Sequence, residues 1–185
     1  MKDFDFSNVI SSWSKAAKDL NIEIKTPITL KDKNGNKILY EMSKVTGLKW
    51  PRNFIECTVA FYAPWGGFSS PLTLTIDKDI KYEIETLVHE LSHVLTWGNR
   101  KKVLWPESNS GIYKKYKNET FNAKLHFPIH AIVTLVFKKI FREHADEYLK
   151  YEHKWYSPRS KDYISSWEIV EKEGPEKILK ELIKR

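Results

Sequence analysis

Residues 79–97, DIKYEIETLVHELSHVLTW, decide how this chain is read. Ile84, Leu87, Val88, Leu91 and Leu95 recur at three- and four-residue intervals, which predicts an amphipathic helix with one apolar stripe. Gly98 follows as a helix stop. At roughly 100° per residue, Tyr82, Thr86, His89, His93 and Trp97 fall nearly opposite that stripe. One side is expected to anchor the helix and the other to face a cleft, with Trp97 as a candidate substrate-contacting wall or, equally, a cover over the helix end. Residues four apart stack on one helical face, so His89 and His93 present two imidazoles to a single ion. Glu90 is displaced around the helix, where it reaches a water beside the ion without binding the ion itself. A shuffled chain of this composition would hold H-E-x-x-H only about 0.02 times, so the pattern asks for a chemical reading.

Upstream, residues 6–20 read as an amphipathic helix with Ser7 as N-cap. Two strands are expected next, NIEIKTPITL and KILYEMSKV, joined through Asp32-Lys33-Asn34-Gly35-Asn36, whose Asn-Gly suits a tight hairpin. A second β pair is expected from FIECTVAFY (54–62) and LTLTI (72–76), across the turn-rich APWGGFSSP. Downstream, residues 99–127 show no sustained period and are expected to form a long, mobile loop beside the cleft. Pro128 suits a helix's first turn, and IHAIVTLVFKKIFREHADEYLKYEH continues that helix, buried in its first half. SWEIVEKE and PEKILKELIKR read as two short helices broken at Gly174-Pro175. The fold class expected is α+β over a single domain, residues 1–185: a small mixed sheet, the H-E-x-x-H helix, then a helical C-terminal half.

The totals fit a folded catalytic unit. The chain has 185 residues, 41% of them hydrophobic and 30% charged, enough for a self-sufficient core. Cys57 is the only cysteine, which removes an internal disulfide and a cysteine-rich structural zinc site from consideration. No segment carries the roughly 18 apolar residues of a membrane span, and the first twenty residues lack a signal-peptide core. A cytoplasmic protein is therefore expected, with no membrane partner. Net charge is +7, concentrated in part between Arg100 and Lys117. No nucleic-acid module accompanies these basic residues, so nucleic acid is not the expected partner.

TLVHELSHVL resembles the active-site helix of zincin metallopeptidases. The resemblance implies a zinc cofactor held by His89 and His93, Glu90 as general base, and a peptide or protein substrate laid along a sheet edge. The metzincin branch would need glycine at 96 and histidine at 99, where this chain has Thr96 and Asn99. Gluzincins take their third ligand from a glutamate on a later helix, and Asn118-Glu119 is similar to the pair found there.

Downstream candidates for the third ligand are Glu119, His126, His130, Glu143 and His144. His130 is the choice made from the sequence, because it opens the most apolar stretch, FPIHAIVTLVF, where an imidazole is costly to bury unless both nitrogens find partners. Glu119 is next, and a hydrogen-bonded core histidine is the plain alternative for residue 130. His126 precedes Pro128 and is expected in the loop. Glu143 is expected to be solvated, and His144 lies on the apolar face with Phe137 and Phe141. Cys57 is expected to be an ordinary strand residue. The competing reading of the whole chain is a non-catalytic, zinc-stabilised binding module that contacts nucleic acid through the basic 100–117 segment. Glu90 argues against it, because a structural metal site gains nothing from a carboxylate there. Substrate identity and oligomeric state are not legible in the sequence.

Overall fold

A computed structural model describes residues 37–51, 55, 57–60, 67–75, 80–108, 111–156 and 161–184. The helix expected at 6–20 and the strand at 21–30 lie outside this set. The described residues form an α+β fold, mostly helical, with one small sheet.

The first described element is a helix, α1 (Lys37–Thr46), where the sequence suggested a strand. The alternation of Ile38, Tyr40 and Met42 invited that reading. Burial shows the helical period instead: Ile38, Leu39 and Met42 are buried while Tyr40 is exposed. Strand geometry would have put Tyr40 on the same face as its two neighbours. Gly47, at φ +70°, ends the helix, its amide donating to the Ser43 carbonyl at 2.8 Å. This is the left-handed cap that glycine adopts without penalty.

The sheet has three strands in the order β1-β3-β2: β1 (Cys57–Ala60), β2 (Gly67–Ser69) and β3 (Leu72–Thr75). It is mixed. β1 runs parallel to β3, pairing Cys57 with Leu72, and β2 runs antiparallel to β3. The two expected strands therefore pair, but as parallel neighbours, and the stretch between them supplies a strand of its own.

Helix α2 (Ile80–Gly98) carries the motif. Ile84, Leu87, Val88, Leu91 and Leu95 are all buried, as the stripe predicted. Burying each such aliphatic side chain contributes ~1.5–3 kcal/mol, so this face fixes the helix rotationally. The opposite face is less open than expected, since Tyr82, Thr86 and His89 are buried too. The sheet strands β2 and β3 and two later helices, Phe121–Phe141 and Ala145–Tyr156, pack against α2.

The stretch after α2 is not a long loop. It holds a 3-10 turn at Pro106–Ser108 and a short helix, α3 (Gly111–Lys115). Backbone bonds tie it to residues far along the chain: Leu104 N donates to Leu182 O at 2.7 Å, and Lys184 N to Lys102 O at 2.8 Å.

Helix α4 (Phe121–Phe141) is the hub. It begins two turns before Pro128, correcting the placement of that proline at a helix start. Thr120 is the N-cap, its hydroxyl accepting from Ala123 N at 3.0 Å. Pro128 removes one backbone donor within the helix. Burial of every residue from 126 to 137 outweighs that loss. Around α4 pack α1, α2, α5 (Ala145–Tyr156), α6 (Lys161–Glu173) and α7 (Pro175–Leu182). Gly174, at φ +85°, makes the break between α6 and α7 that Gly174-Pro175 announced. Among the described residues no helix is long and apolar enough to cross a membrane.

Candidate metal centre

His89 and His93, one turn apart on α2, bring their Nε2 atoms to 3.3 Å from each other. Two nitrogens each ~2.0–2.1 Å from one tetrahedral ion stand about 3.3–3.4 Å apart. The pair is thus spaced as two ligands of one ion are.

A third imidazole closes on them from α4. Among the described residues, His89, His93 and His126 form a group whose donor atoms all lie within 4.8 Å of one another. The His126 ring stands 5.0 Å from that of His93 and 5.5 Å from that of His89. Its Nδ1 lies 2.8 Å from the Asn122 carbonyl. A carbonyl only accepts, so Nδ1 carries the proton and Nε2 keeps its lone pair, the tautomer a metal ligand needs. His126 is buried, and His93 is only half-buried, so the group has one open side. Three neutral nitrogen donors with an open position suit a divalent transition ion.

His130, the sequence's choice for third ligand, lies outside this group of donors. It sits one turn further along α4, fully buried, with its ring stacked on Trp167 at 4.3 Å and 10°. The reason is the helix start. With α4 beginning at Phe121, the turn that faces α2 is the one carrying His126, and His130 falls deeper. His126-x-x-x-His130 repeats the spacing of His89 and His93, a signal available in the sequence.

The remaining candidates are elsewhere engaged. Glu119 accepts a 2.5 Å bond from Ser165 Oγ. His144 is exposed in a 3-10 turn, 2.9 Å from Glu147, and so is not on the apolar face. Glu143 is exposed, as expected. Burial pushes the Cys57 thiol up to about 11, keeping it neutral.

Glu90 is buried beside the histidines and lines, with Gly67, Phe68, Ser69, His93, His126 and Tyr163, a small cavity of about 200 Å³. Gly67 is required there. A Cβ at that position would stand 2.9 Å from Thr86 Cγ2 and 3.2 Å from Glu90 Cγ, so only glycine lets β2 approach the motif helix this closely.

Tyr163 is the residue that sequence reasoning missed. Its ring stacks on His89 at 5.8 Å and 12°, and stands 4.2 Å from His126. Polar bonds on either side hold it: Asp162 accepts from Thr120 Oγ1 (2.8 Å) and Asn122 Nδ2 (3.1 Å), and Ser165 donates to Glu119.

Trp97 is 63% exposed and meets Trp105 edge-to-face at 5.1 Å. Both line a second, larger cavity of about 700 Å³ that also includes His93 and Ser69. Residues from the expected loop, among them Leu104 and Leu125, do border this space, but as bonded backbone and helix.

No family model matches the chain, and neither a curated protein nor a solved structure matches it.

Proposed function

We propose that this chain is a zinc-dependent hydrolase of peptide bonds, zincin-like in plan, with His89, His93 and His126 as the metal ligands and Glu90 as the general base. The observation that carries the reading is the 3.3 Å spacing of the two Nε2 atoms on the motif helix, beside a carboxylate that opens into the same cavity. When bound, zinc supplies Lewis acidity and lowers the pKa of a coordinated water to about 7.

The chain's own groups divide the remaining work. The Glu90 carboxylate takes a proton from water as its oxygen adds to the carbonyl carbon of the peptide. The same carboxyl then delivers that proton to the amine nitrogen as the C–N bond breaks. Tyr163 provides a phenolic O–H donor for the oxygen on which negative charge develops. The Asn122 carbonyl holds the His126 ring in one tautomer. Three protein ligands among the described residues, not four, favour this reading over a closed structural site.

The test is metal analysis of purified protein after zinc is supplied at neutral pH, followed by digestion of a mixed peptide library. About one zinc per chain and strongly reduced cleavage in Glu90→Gln are expected. The amide keeps size and loses basicity, and turnover is expected to fall by ~10²–10⁴-fold with zinc retained. Protein that takes up no zinc, or a Glu90→Gln variant with unchanged turnover, overturns the reading.

A further inference from the structure

The larger cavity begins where the metal centre ends. His93 and Ser69 line both spaces, so the larger one lies directly beside the metal centre, across these two side chains. Its walls are mostly apolar: Val94, Trp97, Leu104, Trp105, Leu125 and Pro128 face it, and among the described residues that line it there is no Asp, Glu, Lys or Arg.

The polar ends of two of its aromatic residues, Trp105 and Tyr113, are turned to backbone. Trp105 Nε1 donates to the Arg100 carbonyl at 3.0 Å, and the Tyr113 hydroxyl donates to the Leu104 carbonyl at 3.2 Å. These two rings therefore offer the cavity a hydrocarbon surface. A charged side chain placed here would lose hydration and meet no counter-charge among the described lining residues. At about 700 Å³ the space falls within the range of small-ligand sites and has room for the bulkiest apolar side chain.

From this adjacency we propose, resting on the hydrolase reading, that the larger cavity is the subsite for a bulky apolar side chain adjacent to the bond being cleaved. The substrate class is then a peptide with leucine, phenylalanine or tryptophan at that position. Peptides with an acidic or basic residue there are rejected. Trp97 and Trp105 form the rim, and the edge-to-face contact between them holds the Trp97 indole in place although most of it is exposed.

Four blocked amino-acid hydroxamates, of glycine, aspartate, leucine and phenylalanine, provide the probe. Each chelates the metal identically and differs only in the side chain presented to the cavity. Their binding to zinc-loaded protein is read by calorimetry, alongside zinc content. The leucine and phenylalanine compounds are expected to bind about 10-fold or more tighter than the glycine compound, and the aspartate compound more weakly than glycine. Trp97→Ala, at an exposed position, is expected to narrow the gap between phenylalanine and glycine. Zinc-loaded protein that binds all four alike, or a Trp97→Ala variant that keeps the full preference, overturns the subsite alone. Protein that takes up no zinc and binds none of the four overturns the hydrolase reading and the subsite with it.

Discussion

The Tyr163 ring stands 4.2 Å from the ring of His126, although the two residues belong to different helices. The contact is built, since Asp162 and Ser165 bind the start of α4 on both sides of it. Tyr163→Phe keeps the ring and removes the hydroxyl. Zinc content and thermal stability are expected to stay near wild type, while turnover falls by about 10²-fold, the usual loss on removing one donor to a developing oxyanion. An unchanged turnover number would take Tyr163 out of the chemistry.

The two histidines of α4 should separate cleanly in a metal titration. His126→Ala is expected to weaken zinc binding by more than ~10²-fold, since losing even a supporting partner of a ligand costs about 10–100-fold. His130→Ala removes the ring stacked on Trp167 and is expected to destabilise the fold by roughly 2–4 kcal/mol, with zinc affinity nearly intact. The reverse pattern would restore His130 as the ligand.

Gly67→Ala tests the close approach of β2 to the motif helix. The added methyl would press on Thr86 and Glu90, and such overpacking costs about 1–3 kcal/mol. Chemical denaturation should show that loss, and the displaced Glu90 should lower turnover as well. A variant as stable and active as wild type would mean that β2 can shift freely.

Glu173 gives a pH signature. Lys115 at 2.5 Å, Lys177 at 2.6 Å and the Tyr116 hydroxyl at 2.7 Å all bind its carboxylate and hold it down to about 2. A depressed carboxylate adds stability that is present above its ordinary value, near 4.5, and is lost as pH falls toward about 2. Glu173→Gln should therefore melt at a lower temperature than wild type at neutral pH. That gap should narrow across the interval from 4.5 to 2. A gap that is constant with pH would assign the effect to packing alone.

What could be read from the sequence follows from where local pattern and tertiary packing agree. The motif helix was legible because five apolar residues share one face over three turns, and no competing period overlaps them. The pairing of residues 57–60 with 72–75 was legible as strands. Their parallel direction was not, because β2 lies hidden in a stretch rich in turn residues. Residues 37–46 misled because Ile38, Tyr40 and Met42 alternate, and the preceding Asn-Gly strengthened the appearance of a hairpin. Reading Pro128 as a helix start hid His126. Thr120 was the better start signal, and it placed residue 126 on the helix face that turns toward α2. Tyr163 left no local trace. Its role depends on the docking of α6 against α4 through Asp162 and Ser165, and that docking cannot be deduced from short-range spacing.

The bonds joining residues 102–104 to 182–184 bear on how the molecule matures as it emerges from a ribosome. His89 and His93 leave the exit tunnel together as a two-donor site, but the third imidazole follows 33 positions later (126 − 93). The tyrosine over it comes later still. The wall containing Val103 and Leu104 is tied down only when Leu182 and Lys184 arrive. A nascent chain thus has all three histidines well before the C-terminal residues that tie down the wall of the larger cavity have emerged.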